Sequence, residues 1–232
     1  MATELTHLIV VCCHGIWLGG PSNGADESEW LIADFQKGET PTFIEHARAG
    51  VEALAQAEPG STTLCFSGYL DLVCANNHFG QSDRISRSTP FLVEDRALDS
   101  YHNILFSLTK FHLVHDHWPT HVTVISHAFK KPRLLDLHCT AIGFRLDRVS
   151  FIGIDPPGFD QGDEGIGGAE NEWREDPHGR GEKLRGKRRK RNPWGQWQGV
   201  FDDEQRRTSN GGLITVGDGY EETLVDDAPR PW

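Results

Sequence analysis

No stretch of this sequence approaches the ~18 consecutive apolar residues that a membrane-crossing helix needs. The early apolar run from Leu8 is interrupted by His14, and Glu4 stands where a targeting leader would carry basic residues. The chain therefore reads as a cytoplasmic protein without a membrane partner, the nucleus being the alternative location. C-x-x-C pairs are lacking too. The five cysteines, Cys12, Cys13, Cys65, Cys74 and Cys139, form an odd set that supports neither a disulfide framework nor a zinc ribbon and fits a reducing compartment. Positive charge is short: 23 basic against 34 acidic side chains give a formal charge of −11. That balance argues against nucleic acid as a general partner, since phosphate backbones demand clustered positive charge.

What is present is enough for one ordinary domain with an appendage: 232 residues, 37% of them hydrophobic. Leu8 to Cys12 is a continuous apolar run that stops at His14-Gly15, the signature of a buried parallel strand entering a loop. Thr62 to Phe66, His121 to Ser126 and Val149 to Ile154 predict three more strands. Between them, Thr40-Pro41 opens a helix whose apolar positions Ile44, Ala47, Val51, Leu54 and Ala55 recur at helical spacing before Pro59-Gly60. A second apolar stripe, Ala97, Tyr101, Ile104, Leu105, Leu108 and Phe111, predicts a helix from about Val93, and Arg133 to Ala141 predicts a third, closed by Gly143. Residues Tyr69 to Pro90 show no period and read as a long loop. Strands alternating with helices predict an α/β fold, a Rossmann-like open, mostly parallel sheet over residues 1–157. In such sheets ligands bind beyond the carboxyl ends of the strands, here His14, Ser67-Gly68, Ser126-His127 and Asp155.

Several side chains near those ends are suited to chemistry. Ser67-Gly68 offers a hydroxyl and an unhindered amide for cradling an anion, with a plain turn as the competing reading. Helical spacing brings Arg96, Ser100 and Asn103 together with Glu94 just upstream, a set that reads as a site or as capping of the helix dipole. Lys130 and Arg133, directly after the third predicted strand, would neutralise an anionic ligand unless they are merely solvated. His112, His115, His117 and His121 are rich enough in imidazole for a metal, but the end of a helix is also where histidines meet a negative dipole.

Beyond Gly158 the composition changes to Gly, Asp and Glu, then to the basic run Lys183 to Arg191. Residues 158–232 are expected to be a largely irregular, loosely docked or disordered extension. Trp194 and Trp197 are expected to staple it to the domain. The basic run has three readings: a nuclear import signal, a nucleic-acid patch, or a segment paired within the molecule.

Taken in order, Cys13-His14-Gly15-Ile16-Trp17, Trp30 with Phe35-Gln36-Lys37-Gly38-Glu39, Phe66-Ser67-Gly68, Glu94 with Ala97, Asp99-Ser100 and Asn103, Phe129-Lys130 with Arg133 and His138, and Gly153-Ile154-Asp155-Pro156-Pro157 resemble the fungal branch of the family called domain of unknown function 218, related to YdcF-, SanA- and ElyC-like bacterial proteins. Asp176-Pro177-His178-Gly179, Lys187-Arg188 and Arg191-Asn192-Pro193 resemble the same branch. The resemblance implies a Rossmann-like sheet, a ligand site at Ser67, Gly68, Glu94, Ser100, Asn103, Lys130 and Arg133 with His14 and Asp155 beside it, and S-adenosylmethionine as the candidate cofactor. It implies no settled reaction. The chain departs from the family pattern at Tyr69, where a second glycine is expected, and over Leu70 to Pro90. A bulky residue at a position requiring positive φ costs about 1 kcal/mol or more and would crowd a phosphate.

The leading expectation is thus a small-molecule-binding domain acting on an anionic or nucleotide-like ligand. In it Ser67, Gly68, Lys130 and Arg133 hold the anion, while Glu94 and Asn103 orient a hydroxyl or move a proton. The alternatives are a non-catalytic interaction protein with a degenerate site, recruiting a protein partner through its C-terminal tail, and a metal-dependent hydrolase.

Overall fold

The computed structural model describes residues 5–68, 91–159, 164–202 and 209–232. The chain opens with strand β1 (His7–Cys12), a small antiparallel pair, β2 (Ile16–Trp17) with β3 (Trp30–Leu31), helix α1 (Thr40–Gln56) and strand β4 (Thr62–Ser67). The predicted Tyr69–Pro90 loop, and Tyr69 with it, lies outside the described residues. Strand β5 (Phe91–Glu94), helix α2 (Ser100–His115) and strand β6 (His121–Ser126) follow. Helix α3 winds as π-helical turns over Arg133–Cys139 and as α-helix over Thr140–Ile142, and Gly143 ends it in the left-handed conformation at φ 78°. Strand β7 (Val149–Gly153) closes the sheet, and helices α4 (Glu164–Glu175) and α5 (Glu182–Lys190) and the short pair β8 (Thr215–Val216) and β9 (Thr223–Leu224) complete the chain.

The central sheet has five parallel strands in the order β5-β4-β1-β6-β7. All of β1 from Leu8 to Cys12 is at most 1% exposed, which is why it reads as an unbroken apolar run. Its alternate residues serve opposite faces: Ile9 and Val11 pack with Leu64, Phe66, Ile125 and Ala47 of α1, whereas Leu8, Val10 and Cys12 pack with α2 and α3. Because β1 leads first to β4 and β5 on one side and the chain then returns to β6 on the other, the strand order reverses between β1 and β6. The loops leaving these two neighbours diverge to opposite sides, and the gap between them is the crevice at which open α/β sheets typically bind ligands.

Two expectations are corrected. The sequence predicts a helix from about Val93, but Phe91–Glu94 pairs with β4 as a fifth strand, and the helix begins only at Ser100, capped by the Asp99 carboxylate accepting from His102 N–H. Phe91, Leu92 and Val93 are good strand formers, and Leu92 is fully buried.

The larger correction concerns the extension. Trp173, Leu184, Val200, Phe201, Leu213 and Leu224 are each no more than 5% exposed and belong to the same apolar cluster as β1, α2 and α3. The stripe predicted for α2 does not exhaust its buried positions, and His102, Phe106 and Thr109 are buried as well. Trp173 stacks on Tyr101, and Trp232 donates to the Gly143 carbonyl at 3.2 Å. Of the two expected staples, Trp197 packs against Tyr220 within the extension and Trp194 is 58% exposed. The basic run forms α5 and the residue after it, and most of its charges are met inside the molecule. Lys183 and Lys187 pair with Glu172, Arg185 with Glu221, Arg189 with Glu182 and Arg188 with Asp99, while Arg191 donates to the Leu98 carbonyl. None of the described helices is long and apolar enough to cross a membrane.

Candidate functional site

The register sets Cys12, Ser67, Glu94, Ser126 and Gly153 level along the carboxyl edge of the sheet. The residues singled out from the sequence separate there into two groups.

Ser67, Gly68, Glu94 and Asn103 form a buried clasp between β4, β5 and α2. The Ser67 hydroxyl lies 2.9 Å from Glu94 Oε2 and 3.1 Å from the Asn103 carbonyl, and Asn103 Nδ2 donates to the Ser67 carbonyl at 2.7 Å. Glu94 also accepts from the backbone N–H groups of Arg96 and Ala97 at 2.7 and 3.2 Å. Burial pushes the Glu94 carboxyl up, opposed by Arg96 and these donors. Gly68 N–H donates to the Glu94 carbonyl at 3.0 Å. The two donors expected to cradle an anion are therefore engaged within the protein, and Ser67, Glu94 and Asn103 are 0%, 2% and 5% exposed. The reading of Ser67 and Gly68 as the anion cradle, with Glu94 and Asn103 as its catalytic partners, is corrected to a structural one. Glycine is needed at 68 because φ is 111° and an added Cβ would stand 3.0 Å from Asn103 Nδ2 and 3.1 Å from the Cys13 carbonyl. Ser100 is also turned elsewhere, its hydroxyl 2.8 Å from Nε2 of the buried His138.

The second group lines the crevice where β1 and β6 part. His14 follows β1, His127 follows β6, and Lys130 and Arg133 stand on the turn and helix after it. The Lys130 Nζ is 3.4 Å from His14 Nε2, which also lies 3.3 Å from the Ser126 hydroxyl. Asp155, just past β7, fixes this turn by accepting from Phe129 N–H at 3.2 Å. From the other side, Gln36 donates to the His14 carbonyl at 2.7 Å, and the Glu39 carboxylate approaches His127 Nε2 to 3.6 Å. The Phe35–Glu39 motif thus supports this crevice.

His46 enters from α1. Its Nε2 meets the Ile154 carbonyl at 2.9 Å, its ring packs edge-on to His127 at 4.8 Å, and His14 lies tilted over His127 at 4.7 Å. The three imidazoles place one nitrogen each within 4.8 Å of one another. Their environment keeps them neutral. Burial is the main cause in each case; the Lys130 charge adds to it, lowering His14 well below its ordinary value, His46 to about 4 and His127 to about 2. Lys130 itself is drawn down to about 7 by burial and by Arg133, with Glu39 and Cys12 opposing.

The polar accounts of this crevice do not balance. Among the described residues Arg133 has neither a hydrogen bond nor an ion pair, and its Nε is buried. His46 Nδ1 and both ring nitrogens of His127 are buried without hydrogen-bond partners. An unsatisfied buried donor or acceptor costs about 1–3 kcal/mol, which sets these groups apart from the fully bonded clasp around Ser67.

His46 is the residue of this cluster that sequence reasoning missed, whereas His127 is placed at a strand end without being given a role. His46 has one faint signal, a polar residue on the face of α1 that buries Phe43, Ala47 and Gly50. The histidines first considered for a metal are dispersed: His112 stacks on Trp118, His115 meets the Thr63 hydroxyl, His117 the Trp118 carbonyl and His121 the Thr120 hydroxyl.

No family model matches the chain. No solved structure matches it either. Over 208 residues the chain is 24% identical to the uncharacterized protein YOR238W of Saccharomyces cerevisiae, a match covering 66% of this chain and 68% of that protein. This chain is therefore similar to a yeast protein whose name carries no activity.

Proposed function

We propose that the protein binds a small anionic or nucleotide-like molecule in the crevice between β1 and β6, with Lys130 and Arg133 supplying the charge. The observation that carries this reading is the Arg133 guanidinium, whose buried Nε has no hydrogen bond and which has no acidic group in direct contact among the described residues, the Glu170 and Asp99 charges acting on it from farther off. A buried arginine nitrogen without a hydrogen-bond partner costs about 1–3 kcal/mol, and a bound phosphate or carboxylate would offset that cost. Arginine suits the task because its fork matches both anions bidentately. Asp155 holds the turn that carries Lys130, and His14 stands beside it as a neutral hydrogen-bonding group. Cysteines without a C-x-x-C pair favour a reducing, cytoplasmic setting, and with it a soluble metabolite as the ligand.

The test is thermal unfolding in the presence of phosphate, nucleotides, phosphosugars and S-adenosylmethionine, the last being the cofactor that the family resemblance implies. A ligand at about 100 times its Kd stabilises by ~2.7 kcal/mol, which raises Tm by about 5–10 °C for a chain of this size. Arg133→Ala is expected to abolish the shift while leaving the fold cooperative. An undiminished shift in that variant refutes the assignment.

A further inference from the structure

The polar shortfall of the crevice is not confined to its cations. Three histidines far apart in the sequence, one after β1, one within α1 and one after β6, bring a ring nitrogen each to within 4.8 Å of one another. Packing alone would be a sufficient reason for such a cluster if the ring nitrogens were hydrogen-bonded elsewhere. They are not. A neutral imidazole has one donor and one acceptor nitrogen, yet His127, 0% exposed, has no hydrogen bond at either.

His46 is held in the arrangement usual for a metal ligand. Its Nε2 meets the Ile154 carbonyl, which fixes that nitrogen as the N–H and leaves the lone pair on Nδ1, buried and without a partner. A backbone carbonyl behind a histidine orients the ring and sets its tautomer. Glu39, 3.6 Å from His127 Nε2, is placed to serve the second ring in the same way or to turn inward as a further oxygen ligand.

We propose that His14, His46 and His127 form a binding site for one divalent transition-metal ion of the zinc class. Imidazole nitrogens are ligands of choice for Zn2+, and three protein ligands are the number found in open, catalytic zinc sites, where a further position remains for water or substrate. Tetrahedral Zn2+ holds its nitrogens roughly 3.3 Å apart, so modest ring rotations close the 4.8 Å spread. Magnesium and calcium are disfavoured, because they take oxygen ligands. The site neighbours the anion site but does not rest on it, because the imidazole nitrogens alone define it.

The experiment uses the full chain, stripped with a chelator, dialysed and returned to Zn2+ under competition with a chromophoric chelator. The account predicts one equivalent of tightly held Zn2+ per chain, a higher Tm on metal addition, and the visible bands of tetrahedral coordination when Co2+ is substituted. His127→Phe retains an aromatic ring beside Phe43 and Phe129 and is expected to weaken Zn2+ binding by about tenfold or more, as is His46→Ala. His112→Ala, outside the cluster, should bind as the wild type does. Wild-type protein that takes up no stoichiometric Zn2+ overturns the proposal even if every variant folds; so does His127→Phe protein, folded by its thermal melt, that binds Zn2+ undiminished. Arg133→Ala separates the two readings, since it should lose the anion and keep the metal.

Discussion

Cutting the chain after Gly158 is expected to leave a fragment that no longer unfolds cooperatively, although every strand of the central sheet survives the cut. The deletion removes Leu184, Val200, Phe201, Leu213 and Leu224 from the cluster they share with β1, α2 and α3. At ~1.5–3 kcal/mol for each fully buried side chain, these five contribute about as much as the whole net stability of a domain, roughly 5–15 kcal/mol. The cut also removes the Gly199 carbonyl, to which Arg96 donates at 2.9 Å while stacking over the Phe106 ring at 4.3 Å. Denaturant titration followed by circular dichroism, with a dye that reports exposed apolar surface, checks the outcome. A 1–158 fragment with a sharp transition near that of the full chain would contradict the described packing.

Asp99→Asn is expected to cost about 3–5 kcal/mol, the penalty for leaving a buried partner charge uncompensated. Asp99 caps α2 through Oδ1 and binds Arg188 through Oδ2 at 3.0 Å, with the two side chains 7% and 11% exposed. Asparagine caps a helix as well as aspartate does, so the substitution isolates the ion pair. Burial alone would raise the Asp99 carboxyl, but His102, Arg188 and the His102 N–H outweigh it and hold it well below the usual carboxylate range. Burial keeps His102 uncharged down to about pH 4, and Arg188 is accordingly the partner at neutral pH. A carboxyl whose folded pKa is depressed contributes stability that is fully present above its unfolded value, ~3.9, and is lost as pH falls through the folded value. The gap between wild type and Asp99→Asn should therefore be constant from neutral pH to about pH 5 and shrink in stronger acid. A gap that stays constant below pH 3 would show that the pair does not carry the difference.

The sheet was legible where a strand is buried on both faces. Leu8 to Cys12, Thr62 to Phe66 and Val122 to Ser126 stand out as apolar or β-branched runs because their residues are buried. Strand β5 was not, since its four residues run straight into the stripe of the following helix. The extension was hidden for a different reason. Trp173, Leu184, Val200, Leu213 and Leu224 lie a dozen or so residues apart with no period, each anchoring a separate turn of chain against α2 and α3, and charge counts along α5 do not show that Asp99, Glu172 and Glu221 face it.

The candidate site was legible in place and only partly in role. Lys130 and Arg133 could be assigned to the carboxyl edge from their position after a strand, and they stand there. Ser67 and Gly68 could be placed at a strand end in the same way, but whether a hydroxyl and an amide are available depends on Glu94 and Asn103, which only tertiary structure brings to them. His46 belongs to the cluster through the packing of α1 across the crevice, a contact no local pattern encodes.

The most direct measurement is a crystal structure of the protein soaked with tungstate, a phosphate-like oxyanion located by its anomalous scattering. The account predicts a tungsten peak within contact of both Lys130 and Arg133 in the crevice between β1 and β6. Peaks confined to the exposed lysines of α5, with the crevice left without one at saturating tungstate, would contradict it.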